Sequence, residues 1–214
     1  MKKLISNLVI ALCLLSSCTI FDGSSEIDLS TMSTDQLIQI IEDPESDLFW
    51  YATTELGHRG VNAVEAAPAL ARALGYQRRD CDEAGRALIS MGAEAKSAIP
   101  YLIPVLHDDQ AISRAYASLV LGYFGEESKC AIPEIALLLW DVDPTVRGSA
   151  AITLDALTGE NLVPSWDKLG PSTMNSISQD TPEGTFTKDA RTWWEQEGKL
   201  VDWGAGSNNC DPPN

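Results

Sequence analysis

Apolar positions along the chain recur on a short beat inside a longer one. Ala117 and Leu121, Ala150 and Leu154, Leu70 and Leu74, Leu102 and Leu106, and Ile135 and Leu139 each stand four residues apart. That spacing places both members on one side of an α-helix, so each pair predicts a helix with a single apolar stripe. The phrases that carry them also repeat: AAPALARAL from Ala66, SAIPYLIPVL from Ser97 and CAIPEIALLL from Cys130. Set in register, they align Pro68, Pro100 and Pro133 at intervals of 32 and 33, with Gly60, Gly92 and Gly125 eight residues before each proline. Ala52, Ala84, Ala117 and Ala150 keep the same register, as do Leu56, Leu88, Leu121 and Leu154, at intervals of 32, 33 and 33.

Each unit reads as two antiparallel helices. A glycine near the turn supplies the positive φ that ends the first helix, and a proline in the first turn of the second gives up only an amide with no intrahelical partner. Alanine at the shared position lets backbones approach, and the leucine one turn later fills the space. A period near 33 residues is the mark of stacked repeats, each unable to bury its apolar face alone. The fold class expected is all-α: a right-handed α-solenoid of stacked antiparallel helix pairs over residues 35–158. It would hold an N-terminal half repeat, three full repeats and a terminal first helix. In the half repeat, STDQLIQIIED places Leu37 and Ile41 33 residues before Leu70 and Leu74, with Ser33 or Thr34 as cap and Pro44 past the end. Pro104 falls inside a predicted second helix, where it is expected to cause a kink.

Asp143-Pro144-Thr145-Val146-Arg147, followed by Ala150 and Leu154 and by second helices bounded by glycine and proline, resembles the bacterial HEAT-repeat family, including its bilin-lyase-like branch. Arg114 and Arg147 match the arginine of that family, whereas Phe49 and Cys81 occupy its register. Beyond the repeats, Leu157-Thr158-Gly159 with Phe186, Asp189, Trp193 and Trp194 resembles a terminal pattern of these proteins. That resemblance implies a short Trp-rich C-terminal cap. Residues 159–214 are thus read as a loop-rich cap and tail, with a stretch rich in Pro, Ser, Gly and Thr between Glu160 and Thr185.

The N-terminal end carries an address. Lys2 and Lys3 precede an uncharged apolar run from Leu4 to Leu15, the layout of a secretory signal and too short for a bilayer span of about 20 residues. Leu15-Ser16-Ser17-Cys18 resembles the lipobox of bacterial lipoproteins. It implies a signal peptide over residues 1–17, lipid attachment (thioether diacylglyceryl and a further acyl chain, such as palmitate) at Cys18, and a cell-envelope location. Thr19 after the cysteine, in place of aspartate, favours the periplasmic face of the outer membrane where two membranes exist. Residues 18–34 read as a flexible tether with a reach of about 20–25 Å.

Composition narrows the partners. Of 214 residues, 15 are Lys or Arg and 31 Asp or Glu, giving a formal charge of −16. Removing residues 1–17 takes away two lysines and no acid, so 13 bases face 31 acids and the charge becomes −18. Such a surface repels phosphate backbones and anionic headgroups, which argues against nucleic acid and leaves the lipid on Cys18 as the membrane contact. Cys13 and Cys18 belong to the leader and anchor. Cys81, Cys130 and Cys210 remain, and a disulfide of Cys210 with either Cys81 or Cys130 is expected, the choice being left open by sequence.

Catalytic chemistry finds little to build on. Only His58 and His107 could serve as bases, in different units, and no HExxH, GxSxG or Gly-rich phosphate loop occurs. Acidic clusters at Asp80-Cys81-Asp82-Glu83, Asp108-Asp109 and Asp141-Val142-Asp143 fall between units; calcium could use such oxygens, but helix capping accounts for their recurrence. No metal or cofactor is expected. A helix-pair stack offers its second-helix face as a ribbon for a protein or peptide, with Arg72, Tyr101, Glu134 and Trp140 as candidate contacts and Trp194 as another beyond the repeats. The expectation is a non-catalytic, lipid-anchored scaffold or adaptor; the alternative is a bilin-lyase-like or other ligand-handling enzyme.

Overall fold

A computed structural model of the chain describes residues 28–77, 80–163, 186–204 and 210. The expected leader, the lipid site at Cys18, the tether as far as residue 27, Trp166 and positions 164–185 of the loop lie outside the described residues. Among the described residues all regular structure is helical, and no strand occurs. The α-helices are α1 (Thr34–Ile41), α2 (Phe49–Arg59), α3 (Ala67–Leu74), α4 (Asp82–Met91), α5 (Ile99–Val105), α6 (Ala111–Phe124), α7 (Ile132–Leu137), α8 (Pro144–Thr158) and α9 (Lys188–Gln196).

Local chemistry sets the helix ends. Ser33 opens α1 with a capping box: its hydroxyl accepts from the Gln36 N–H at 3.3 Å while its own N–H donates to Gln36 Oε1 at 2.8 Å. Asp143 caps α8, accepting from the Thr145 N–H at 2.7 Å, with Pro144 at the first position. Helices α2, α4 and α6 each stop on a glycine, Gly60, Gly92 or Gly125, at φ +53°, +64° and +61°. With ψ between −127° and −157°, this is backbone that a Cβ opposes. Pro68, Pro100 and Pro133 stand in the first turns of α3, α5 and α7.

Between glycine and proline the chain is not a simple turn. It forms short 3-10 turns within Gly60–Ala66, Gly92–Ala98 and Gly125–Ala131, the first two broken by non-helical backbone at Ala63 (φ −126°, ψ 27°) and Ala95 (φ −80°, ψ 19°). Small side chains three residues apart are buried there: Ala63 and Ala66, Ala95 and Ala98, Ser128 and Ala131. Pro104 lies inside α5, one residue before its end.

Helices of like type pack side by side. The first helices form the order α2, α4, α6, α8, and among the second helices α1 packs on α3 and α3 on α5. Each first helix also packs on the second helix before it, as α2 on α1, α4 on α3, α6 on α5 and α8 on α7. The stripes Leu37/Ile41, Leu70/Leu74, Leu102/Leu106 and Ile135/Leu139 are all fully buried, as are Leu56, Leu88, Leu121 and Leu154. Each such leucine contributes about 1.5–3 kcal/mol. The first helices approach closely: a Cβ on Gly85 would stand 2.7 Å from Tyr116 Cδ1 and 3.1 Å from its Cβ, which only glycine avoids. The buried apolar residues form one cluster that extends to Phe186 and Ala190.

Candidate interaction surface

The second helices place the candidate contact residues. Arg72, on α3, reaches back to Glu42 at the end of α1 with an Nη2–Oε1 distance of 3.1 Å. Its guanidinium carbon also sits 5.1 Å from the centre of the Tyr101 ring on α5. One arginine therefore bridges three successive second helices, through an exposed ion pair of about 0.2–1 kcal/mol and a cation–π contact of similar size. Farther along, His107 Nε2, past the end of α5, lies 3.0 Å from Glu134 Oε2 on α7. Leu137 and Trp140 follow at 56% and 46% exposure. The face thus runs from paired charges and an aromatic ring to an apolar end.

The structure brings Arg72 and Tyr101 together and joins Glu134 to His107. Trp140, at the end of the 3-10 turn Leu138–Trp140, follows Leu139, whose carbonyl accepts from Arg191 Nε of α9 at 2.9 Å. Trp194 belongs to a different environment: its ring lies 6.1 Å from that of Trp193, which is 6.1 Å from Trp203, and both Trp193 and Trp194 cover Gly198. Trp203 donates its indole N–H to the Gly198 carbonyl at 2.7 Å. His58 and His107 lie on different helix pairs, His58 in the last turn of α2.

The acidic clusters between units work on the backbone and on arginine. Asp108 accepts from the Gln110 N–H and Asp141 from the Asp143 N–H, each at 2.8 Å. Arg114 grips both carboxylate oxygens of Asp141 at 2.8 Å and donates from Nη1 to the Asp108 and Asp109 carbonyls. Side chains of both partners are about nine-tenths buried. The carboxylate bond holds the guanidinium even further above its usual value. Arg147, one unit later, makes the same contacts to the Asp141 and Val142 carbonyls. Asp82 and Glu83 pair with Arg86 on their own helix. Among the described residues no group of three or more His, Cys, Asp or Glu could hold a metal ion.

Sequence reasoning missed the long-range partners: Glu42 for Arg72, Asp141 for Arg114 and Glu134 for His107. The repeated Arg114/Arg147 register was a signal that a loop had to be held, but not which carboxylate would do it. The cysteines are resolved as a disulfide between Cys130 and Cys210, with Cα atoms 6.2 Å apart. Cys81 is a buried free thiol 3.7 Å from Ser113 Oγ. Burial pushes that thiol above its ordinary value, with the Ser113 contact opposing.

Comparison with known proteins returns no matching family model, no matching curated protein and no matching solved structure. No helix among the described residues is long and apolar enough to cross a membrane.

Proposed function

We propose that the protein is a HEAT-like, right-handed α-solenoid that acts as a non-catalytic scaffold for a protein or peptide partner. On this reading, lipid on Cys18 holds it to the bacterial cell envelope, at the periplasmic face of an outer membrane where one is present. Helix α9 with Trp193, Trp194 and Trp203 closes the last unit. Support for the cap comes from buried Phe186 and Ala190 and from the Arg191 bond to the Leu139 carbonyl. The observation that carries the reading is the side-by-side order of like helices, with Arg72 spanning α1, α3 and α5 so that the second helices present a continuous face. The test is crosslinking of the anchored protein in its own cells. Capture of a defined protein that is lost when Arg72, Tyr101 and Trp140 are substituted together supports the scaffold. Unchanged capture by the triple variant, or turnover of a substrate by the purified chain, overturns it. Loss of membrane association in Cys18→Ala is expected, and persistence counts against the anchor.

A further inference from the structure

The first-helix layer ends differently from the way it continues. Ala87 and Ser90 of α4 pack on Gly57 of α2, Tyr116 of α6 packs on Gly85 of α4, and Thr153 of α8 packs on Gly122 of α6. In the repeat register Ala87 and Thr153 correspond to Glu55, and Tyr116 corresponds to Tyr51. Those two residues of α2 therefore hold positions that later helices use to dock on a predecessor, and α2 has no preceding helix of its type among the described residues. Among the described residues the 3-10 turn Leu29–Thr31 stands over part of that face, tied down by Arg59, which donates to the Leu29 and Ser30 carbonyls at 3.2 Å each. Between turn and helix lies a cleft of about 460 Å³.

Its lining is unlike that of an ordinary helix end. Trp50 and Tyr51 remain 45% and 56% exposed, with rings 5.0 Å apart and 86° to one another, so they form a corner. Asp28 and Glu55 supply carboxylates. Glu55 shares its charge with Arg59 at 2.8 Å. Asp28 takes both Ser30 bonds on Oδ1, and Oδ2 takes none among the described residues. Those Ser30 bonds hold the Asp28 carboxyl below its usual range, so it is an anion at neutral pH. Thr54 also lines the cleft, with its hydroxyl oxygen turned into the protein and without a hydrogen-bond partner among the described residues. A perpendicular aromatic pair beside carboxylates attracts a positive charge carried on an apolar stem, since ring faces and anions favour the charge while the ring bodies pack the stem.

We propose that this cleft binds an organic cation, an alkylammonium or guanidinium group, seated in the Trp50–Tyr51 corner with Asp28 as counter-charge. The site lies on the first-helix layer and goes beyond the second-helix face proposed above; it can be tested without any protein partner. The experiment titrates the purified full-length chain with Nα-acetyl-lysine amide, Nα-acetyl-arginine amide and putrescine, following the Trp50 indole N–H by NMR, assigned from its loss in Trp50→Phe. Saturable shifts are expected with the cations, and none with the neutral isostere Nα-acetyl-norleucine amide. Asp28→Asn and Tyr51→Leu, each checked for retained helicity, should weaken binding by about 10-fold or more. Tighter binding of a lysine-containing peptide than of putrescine assigns a protein side chain as the source, and the reverse order assigns a free polyamine. Equal shifts with the norleucine amide, or affinity unchanged in both Asp28→Asn and Tyr51→Leu, overturn the proposal.

Discussion

Reducing the Cys130–Cys210 disulfide should lower stability by a large and assignable amount. The two cysteines stand 80 positions apart, and the loop they close encloses α7, α8 and α9. Cross-linking a loop of that length removes unfolded-state entropy worth about 4.5 kcal/mol. With a urea slope of about 2 kcal/mol/M for a chain of this size, the transition midpoint should fall by up to about 2 M on reduction. The assay is urea denaturation of the full-length chain by circular dichroism, with and without reductant. Cys130→Ser and Cys210→Ser should each reproduce the reduced midpoint and abolish the response to reductant, whereas Cys81→Ser should keep it. A midpoint that ignores reductant, or a response lost in Cys81→Ser, would refute the reasoning.

Gly92→Ala places a Cβ on backbone at φ +64° with open space around it, so its cost is conformational alone: about 1–3 kcal/mol in thermal or urea melts. Arg114→Ala leaves the nearly buried Asp141 carboxylate without its fork and should cost about 3 kcal/mol, with Arg114→Lys recovering only part; a double-mutant cycle with Asp141→Asn checks it. Leu121→Asp puts a carboxylate into the fully buried seam that α6 shares with α4 and α8, and a cooperative loss of helical signal is expected. The Cys81 thiol is pushed above its ordinary value of 9.0 by burial, so the fold favours the neutral form. That contribution is complete below the ordinary value and is lost as pH rises through the folded one; urea midpoints from about pH 8 to 10 should therefore decline in the wild type and decline less in Cys81→Ala.

Much of the local structure was legible because it depends on residues close in sequence. The four-residue beat marked the buried side of each helix, and Pro68, Pro100 and Pro133 opened second helices because their missing amide costs nothing there. Gly60, Gly92 and Gly125 stopped first helices through a backbone state other residues resist. The 3-10 turns were less visible, although the small residues buried in them, such as Ala63 and Ala66, were present in the sequence. Arg72 was legible as an exposed second-helix position, but the cleft at Trp50 and Tyr51 was not. Nothing in the spacing revealed that Glu55 and Tyr51 hold docking positions with no helix before them.

A chain of helical hairpins of about 33 residues follows from sequence alone, with the glycines that stop the first helices, the prolines that open the second ones and the apolar side of each stripe. Those properties follow from backbone sterics and periodicity within a few turns. Only the tertiary structure decided that Arg72 meets Glu42 and Tyr101, that Arg114 holds Asp141, that Cys210 pairs with Cys130 while Cys81 stays buried against Ser113, and that α2 ends its layer with an aromatic corner. Such pairings depend on how far each helix is rotated and displaced against its neighbour, which is set by close packing at sites such as Gly85 on Tyr116 and Gly122 on Thr153.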